Sequence, residues 1–213
     1  MGKSWPVMIL GMLLLALSAC DGAPGPQERG VALGLFASEP DWDYEPLIVE
    51  IAELGSTDIL VVVPLVQRDI RASVLKSRVS DQRLAQTLAS ARSKGLRVSL
   101  MPIIQLETQM PGEWRGLLEP DDRAQWFDVY AGRLERLAEL SEEQGVHRLI
   151  VGSELCSLED DVRWMDVVDR AESRFTGRVS YSANWDQLSV FSQWHRMDDV
   201  GVTAYFPVDE DAP

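Results

Sequence analysis

Short apolar runs alternate along the chain with segments in which apolar residues recur at helical spacing. Six apolar runs predict buried strands, at 31–37, 58–66, 96–104, 146–154, 178–184 and 199–208. Helices are predicted between them, at 45–55, 80–95, about 121–144, 162–175 and, as a short one, 189–196. The run at 58–66, DILVVVPLV, is apolar almost throughout, which is typical of a strand that is covered on both faces.

Strand and helix alternate without a break, which predicts an α/β fold with a parallel sheet and helices outside it. Two architectures fit this order, a doubly wound open sheet and a (β/α)8 TIM barrel. No GxGxxG or P-loop motif follows any predicted strand, so the nucleotide-binding forms of these folds lack their signature.

The first nineteen residues differ in kind from the rest of the chain. Lys3 precedes an apolar run from Val7 to Leu17, which predicts a secretory signal that is too short for an ordinary membrane-spanning helix. The ending LSAC resembles the lipobox of bacterial lipoproteins, which implies cleavage before Cys20, lipidation of Cys20 and anchoring in the bacterial cell envelope. A plain signal peptide, or a cysteine placed there by chance, is the alternative.

The polar stretch DGAPGPQERG that follows Cys20 is rich in Pro and Gly and predicts a flexible tether. The expected organisation is therefore a signal peptide at 1–19, a lipidated cysteine and tether at 20–30, and one α/β domain at 31–213.

The net charge and the content of histidine and cysteine limit the kinds of partner and cofactor that we expect. The formal net charge of −14 argues against nucleic acid as a partner, because its phosphates require a basic surface. His147 and His195 are the only histidines, and no Cys/His cluster has ligand spacing, so no metal or cofactor is predicted. Cys156 is the second of two cysteines; if Cys20 is lipidated, Cys156 cannot pair with it and is expected to be a buried small hydrophobe.

Polar and aromatic residues follow the predicted strands. Glu154 ends the strand at 146–154, Asn184 and Trp185 end the next, Tyr205 lies in the last, and Trp114 lies in the loop after the third. The carboxyl ends of parallel strands meet at one face, where reacting groups gather. Carboxylates and amides beside aromatic rings suit glycoside cleavage, because rings stack on sugars and an acid near apolar walls can keep its proton.

Each of these residues also has a purely structural interpretation. Glu154 is then a solvated loop residue, Asn184 caps a turn beside a packed Trp185, and Tyr205 belongs to the core. Residue type and position alone leave both interpretations open.

Three motifs in order carry a resemblance to a known family: IVGSEL at 150–155, YSANWD at 181–186 and AYFP at 204–207. Over residues 31–208 the chain resembles the TIM-barrel glycoside hydrolases of family 113, from a clan of retaining enzymes with catalytic glutamates on the fourth and seventh barrel strands. The resemblance implies that Glu154 is the general acid/base. It also implies that Asn184, Trp185 and Tyr205 line a cleft for a β-linked, mannan-like polysaccharide. Trp114 and Ser153, which lie at neighbouring strand ends, are predicted to bind the same substrate, although Ser153 stands where much of the clan has Asn.

Six predicted strands are fewer than the eight of a complete barrel, which typically takes about 250 residues. We therefore expect an incomplete TIM barrel of about six βα units, without the strand that carries the family nucleophile. Retaining hydrolysis requires two carboxyl groups about 5–5.5 Å apart, so this chain alone is expected to be inactive.

Three hypotheses follow. The first is an envelope-anchored glycoside hydrolase whose nucleophile lies beyond residue 213. The second is a non-catalytic glycan-binding lipoprotein or an inactive truncated remnant. The third is a structural lipoprotein without a ligand, which would be favoured if Trp114 and Trp185 were fully buried.

Overall fold

The computed structural model describes residues 28–39 and 42–206. The predicted signal peptide, Cys20 and most of the tether lie outside the described residues, as do positions 207 and 208 of the last predicted strand. Within these described ranges, no helix combines the length and the apolar composition that crossing a membrane requires.

Seven strands and four α-helices make up the described part of the chain. The strands are β1 (Gly30–Gly34), β2 (Asp58–Gln67), β3 (Leu75–Ser77), β4 (Arg97–Leu106), β5 (Arg148–Ser153), β6 (Arg178–Asn184) and β7 (Asp199–Thr203). The helices are α1 (Glu45–Glu53), α2 (Asp81–Ser93), α3 (Arg123–Glu143) and α4 (Trp164–Glu172). Short 3-10 helices form at Arg115–Leu117, Cys156–Leu158 and Trp194–Arg196.

The strand order decides between the two predicted architectures. All strands except β3 are parallel and lie side by side in the order β1-β2-β4-β5-β6-β7, which is their order along the chain. A doubly wound sheet requires a reversal of strand order at a switch point, and this sheet has none. It is the curled wall of an incomplete (β/α)8 barrel, with β1 and β7 as its edges within the described ranges. The fold prediction is confirmed.

Two local predictions were wrong. Residues 189–196 do not form an α-helix; only Trp194–Arg196 forms a 3-10 turn, with the Trp194 indole donating to the Leu188 carbonyl oxygen at 2.6 Å. The last strand ends at Thr203 instead of continuing to 208.

The short strand β3 has no counterpart in the prediction. It pairs antiparallel with residues 65–67 of β2, two residues beyond the stretch of β2 that pairs with β1. The hairpin therefore covers the part of the β2 edge that β1 leaves open.

The helices pack on the outer face of the sheet through the apolar residues whose helical spacing in the sequence predicts a buried side. On α2, Leu84, Leu88 and Ala91 are buried; Ser80 caps its start by accepting from the Arg83 N–H at 3.2 Å. The α3 and α4 helices contribute Trp126, Tyr130 and Trp164 to an aromatic cluster, in which Trp126 stacks on Tyr130 with ring centroids 4.8 Å apart.

Ion pairs join the amino-terminal ends of the last three strands. Asp199 accepts from Arg178 Nε at 2.8 Å and from Arg148 Nε at 2.9 Å. Hydrogen bonding from Arg178, with a further contribution from Arg148, lowers the pKa of Asp199 to about 2. This carboxylate therefore stays charged well below neutral pH and ties β5, β6 and β7 together.

Candidate functional site

Glu154 directly follows β5 at the carboxyl edge of the sheet. Its φ is +52°, and it is the one non-glycine among the described residues with a positive φ. The left-handed conformation costs a non-glycine residue about 1–2 kcal/mol and persists only where the surroundings impose it. One such constraint is the Glu154 N–H, which donates to the Ser182 carbonyl oxygen at 2.9 Å.

The sheet itself is irregular at this point. The register between β5 and β6 shifts between Ile150 and Ser153, just before Glu154. Such irregularities are common next to functional sites, because they change the direction in which a side chain points. The strand end is therefore shaped by a local interruption of the ladder as well as by the turn.

The Glu154 carboxylate is buried and ion-paired. Its exposed fraction is 5%, and its Oε2 contacts Nη2 of Arg115. The Arg115 Nε atom is also buried and has no hydrogen-bond partner among the described residues. The interpretation of Glu154 as a solvated loop residue was therefore wrong.

The loop that carries Arg115 also carries Trp114 and is tied to the segment after Glu154. The Arg115 guanidinium lies 5.8 Å from the Trp114 ring centroid. A Cβ on Gly116 would lie 2.4 Å from the Trp114 ring, so the ring rests directly on the Gly116 backbone. Ser157 Oγ donates to the Leu118 carbonyl oxygen at 2.6 Å, which fixes this loop against the turn at Glu154.

A cavity of about 360 Å³ lies along this loop and the end of β4. Gln105, Glu107, Trp114 and Arg115 are among its lining residues. Two larger cavities lie elsewhere. One of about 610 Å³ on the inner face of the sheet reaches Asp58 and Asp199 at the opposite strand ends, and one of about 480 Å³ is lined by basic side chains that include Arg68 and Lys76. We take the cavity of about 360 Å³ as the candidate cleft, because its amides, carboxylate and indole adjoin the Arg115–Glu154 pair.

Two buried polar residues support the turn from beneath. The Leu155 N–H donates to the Tyr181 hydroxyl at 3.0 Å, and that hydroxyl donates to Glu159 Oε1 at 2.8 Å. Burial raises the pKa of Glu159, and the charge of Glu154 adds to this rise. Burial, together with the charge of Glu159, raises the pKa of Tyr181 well above its ordinary value.

The remaining predicted cleft residues lie at the ends of β5, β6 and β7. Ser153 is buried, whereas Asn184 is half-buried and accepts from the Trp185 N–H at 3.0 Å through its Oδ1. The Trp185 and Phe206 ring centroids lie 5.5 Å apart. Tyr205 is 81% exposed, so its assignment to the core was wrong.

The structure thus forms two groups of predicted site residues. In the first group, Arg115 contacts both Trp114 and Glu154. In the second group, Trp185 contacts Phe206 beyond the end of β7. Within the described ranges no hydrogen bond or ring contact links the two groups. Trp114 and Trp185 are both half-buried, which does not favour the structural hypothesis that required their full burial.

Sequence reasoning missed Arg115, Tyr181 and Glu159. It expected Cys156 to be buried, but this thiol is half-buried; burial and the nearby Glu159 raise its pKa to about 11. Among the residues that the structure describes, no group of three His, Cys, Asp or Glu side chains is arranged to hold a metal ion.

The barrel strands are parallel and lie side by side in their order along the chain, which defines a protein of the TIM-barrel class. The constrained Glu154 carboxylate lies at the end of one of these strands. The model of Glycoside Hydrolase Family 113 matches residues 47–212, and the chain belongs to this family.

Solved structures of this family share the fold. A family 113 β-1,4-mannanase in a complex is 19% identical with a TM-score of 0.77, over 86% of this chain and 65% of its own. A family 113 β-mannanase from Alicyclobacillus acidocaldarius, in complex with ManMIm, is 20% identical with a TM-score of 0.77, over 84% and 62%. This chain spans less than two thirds of the length of these relatives. A search of the curated proteins gives no match.

Proposed function

We propose that this protein acts as a glycoside hydrolase on a β-linked, mannan-like polysaccharide, with Glu154 as the general acid/base. The observation that carries the proposal is the Glu154 carboxylate, which is buried at the end of β5 in a member of family 113. The backbone of Glu154 is held there in the left-handed conformation. The similar solved proteins are themselves described as β-mannanases, which supports this choice of substrate class.

In this reaction Glu154 donates a proton to the leaving glycosidic oxygen and later removes a proton from the attacking water. In a retaining enzyme the second carboxyl group forms a covalent glycosyl intermediate between these steps. The proposal assigns only the acid/base to the described residues. Of the six strands in the barrel wall, β7 is the sixth, and the family resemblance implies a nucleophile on the barrel strand that would follow it.

Ring faces and polar groups along the cleft would bind the sugar. Trp114 presents a half-buried indole beside Arg115, and Gln105 and Glu107 supply an amide and a carboxylate that can bind hydroxyl groups. Asn184, Trp185 and Tyr205 would extend this surface along the ends of β6 and β7, while Ser153 is buried at the end of β5.

Replacing Glu154 with Gln tests the assignment. In a chain that extends through the complete barrel, hydrolysis of a β-1,4-manno-oligosaccharide, measured by the release of reducing ends, should fall by about 10²–10⁴, the usual contribution of a general acid/base. Glu143→Gln is the matched control, because it removes an exposed carboxylate at the end of α3. Undiminished hydrolysis by the Glu154 variant would refute the role.

Glycan binding without turnover is the second candidate, and one contact favours it. The Glu154 Oε2 atom already accepts from Nη2 of Arg115, so one of the two oxygens that could protonate a glycosidic oxygen is occupied. Calorimetric binding of the oligosaccharide by a chain that extends through the complete barrel, with no release of reducing ends, would support this candidate over hydrolysis.

We further propose that the protein is anchored in the bacterial cell envelope through lipid on Cys20. The LSAC sequence supports this, and two or more acyl chains suffice for stable anchoring. Incorporation of labelled fatty acid into the expressed protein, compared with Cys20→Ser, tests it; equal labelling of both would rule it out.

A further inference from the structure

The Tyr181 ring lies under the turn at Glu154 and is held in place on several sides. It is fully buried and stacks on Phe191, with ring centroids 3.9 Å apart and an interplanar angle of 8°. The edge of Trp164 meets it at 5.4 Å. This packing fixes the position of the hydroxyl group.

The direction of the hydrogen bonds at this hydroxyl is also fixed. Leu155, the residue after Glu154, donates its N–H to the Tyr181 oxygen at 3.0 Å. A hydroxyl has a single hydrogen, and Glu159 Oε1 lies 2.8 Å away to accept it. A directed series of bonds therefore runs from the Leu155 N–H through Tyr181 to Glu159.

Glu159 is an unusual residue to find at the end of this series. It is fully buried, and its Oε2 has no hydrogen-bond partner among the described residues. Burying a carboxyl group with so few partners is costly, and an apolar residue would fill the same place more favourably. The acceptor oxygen that it offers to Tyr181 is the feature that an apolar residue would lack.

We propose that Tyr181 and Glu159 are positioning residues for Glu154. By holding the Leu155 N–H they stabilise the left-handed backbone of Glu154, together with the bond from its own N–H to the Ser182 carbonyl oxygen. Without the Tyr181 hydroxyl, the Leu155 N–H loses its partner and the turn relaxes. The catalytic consequence rests on the proposed hydrolase function, whereas the effect on the turn does not.

Amide hydrogen exchange at Leu155 tests the effect on the turn directly. Tyr181→Phe keeps the ring and removes the hydroxyl, so exchange at Leu155 should accelerate by about tenfold or more, as expected for one lost hydrogen bond. Glu159→Gln keeps an acceptor oxygen and should remain near the unaltered chain, whereas Glu159→Leu should resemble Tyr181→Phe.

Tyr44→Phe is the matched control. Tyr44 is also a buried residue, and its hydroxyl also accepts from a backbone N–H, that of Ala37 at 3.1 Å, beyond the end of β1. This variant should accelerate exchange at Ala37 and leave Leu155 unchanged.

Kinetics test the consequence for catalysis. In a chain that extends through the complete barrel, measured on a β-1,4-manno-oligosaccharide well below the unfolding temperature, Tyr181→Phe should lower kcat by about 10- to 100-fold with KM unchanged, because small displacements of a reacting group cost this much. Unchanged exchange at Leu155 and unchanged kcat, with only a lower Tm, would mean that Tyr181 serves packing alone and would overturn the proposal. If a chain that extends through the complete barrel shows no turnover, the hydrolase function fails, and exchange at Leu155 alone decides whether these residues position the turn.

Discussion

Gly152 lies two residues before Glu154, where β5 passes directly over the aromatic cluster. A Cβ at this position would lie 2.7 Å from Tyr181 Cε2, 3.0 Å from Trp164 Cη2 and 3.3 Å from the Tyr130 hydroxyl oxygen. Carbon atoms in favourable contact lie about 3.5–4.0 Å apart, so Gly152→Ala requires the rings to withdraw by about 1 Å.

The rings have little room to withdraw. Tyr181, Trp164 and Tyr130 are all buried, and Tyr181 is already stacked on Phe191 at 3.9 Å. Overpacking of a core typically costs about 1–3 kcal/mol, and with three rigid neighbours we expect about 2–3 kcal/mol from this single methyl group. The same displacement would move the Tyr181 hydroxyl away from Leu155.

Gly132→Ala is the natural comparison. Gly132 lies within α3, and a Cβ there would meet nothing within 4 Å. Alanine in place of glycine in a helix stabilises by about 0.5–1 kcal/mol. In urea unfolding followed by tryptophan fluorescence, the two variants should therefore shift the midpoint in opposite directions. A Gly152→Ala chain within about 0.5 kcal/mol of the unaltered one would refute the packing argument.

Two further predictions concern titrating groups. The pKa of Asp199 is lowered to about 2 from an ordinary value of 3.8, so its charge stabilises the fold above pH 3.8 and this contribution is lost as the pH falls through 2. Asp199→Asn should cost about 1 kcal/mol at pH 7 after allowance for solvent screening, and urea unfolding should show this deficit shrinking toward pH 2; a constant deficit would contradict it. Burial raises the pKa of Cys156 to about 11 from 9.0. In a Cys20→Ser chain, alkylation at pH 8 should therefore be about 100-fold slower in the native than in the urea-unfolded state, and equal rates would disprove the shift.

Local patterns were sufficient for the elements that depend on local interactions. For α2, Ser80 caps the start, and Gly95, with its φ of +78°, follows the end, as the sequence predicts. The hairpin strand β3 could not be predicted, because three residues with one buried side chain carry no periodicity and form a strand only by pairing with β2. At 189–196 tertiary packing overrides the helical pattern, since Phe191 stacks on Tyr181.

The strand-end rule placed Glu154 at the carboxyl edge of the sheet but said nothing about its partners. Arg115 is 39 residues away in the chain, and Leu155 is 26 residues from the tyrosine that holds its N–H. Glu159 begins the acidic run Glu159-Asp160-Asp161, which resembles a solvated surface stretch. Only the packing of β6 against this segment shows that its first member is buried.

These partners belong to different βα units, so the geometry at Glu154 depends on how the units are wound together. The ion pair comes from the loop after β4, and the two backbone N–H groups of the turn both bond to residues of β6. The register shift between β5 and β6 falls between Ile150 and Ser153, where it sets the height of Glu154 relative to Tyr181 and Ser182. A change that restored a regular ladder there would keep every site residue in the sequence and still displace the carboxylate. The site is therefore defined by the pairing of β5 with β6 as much as by the identity of Glu154.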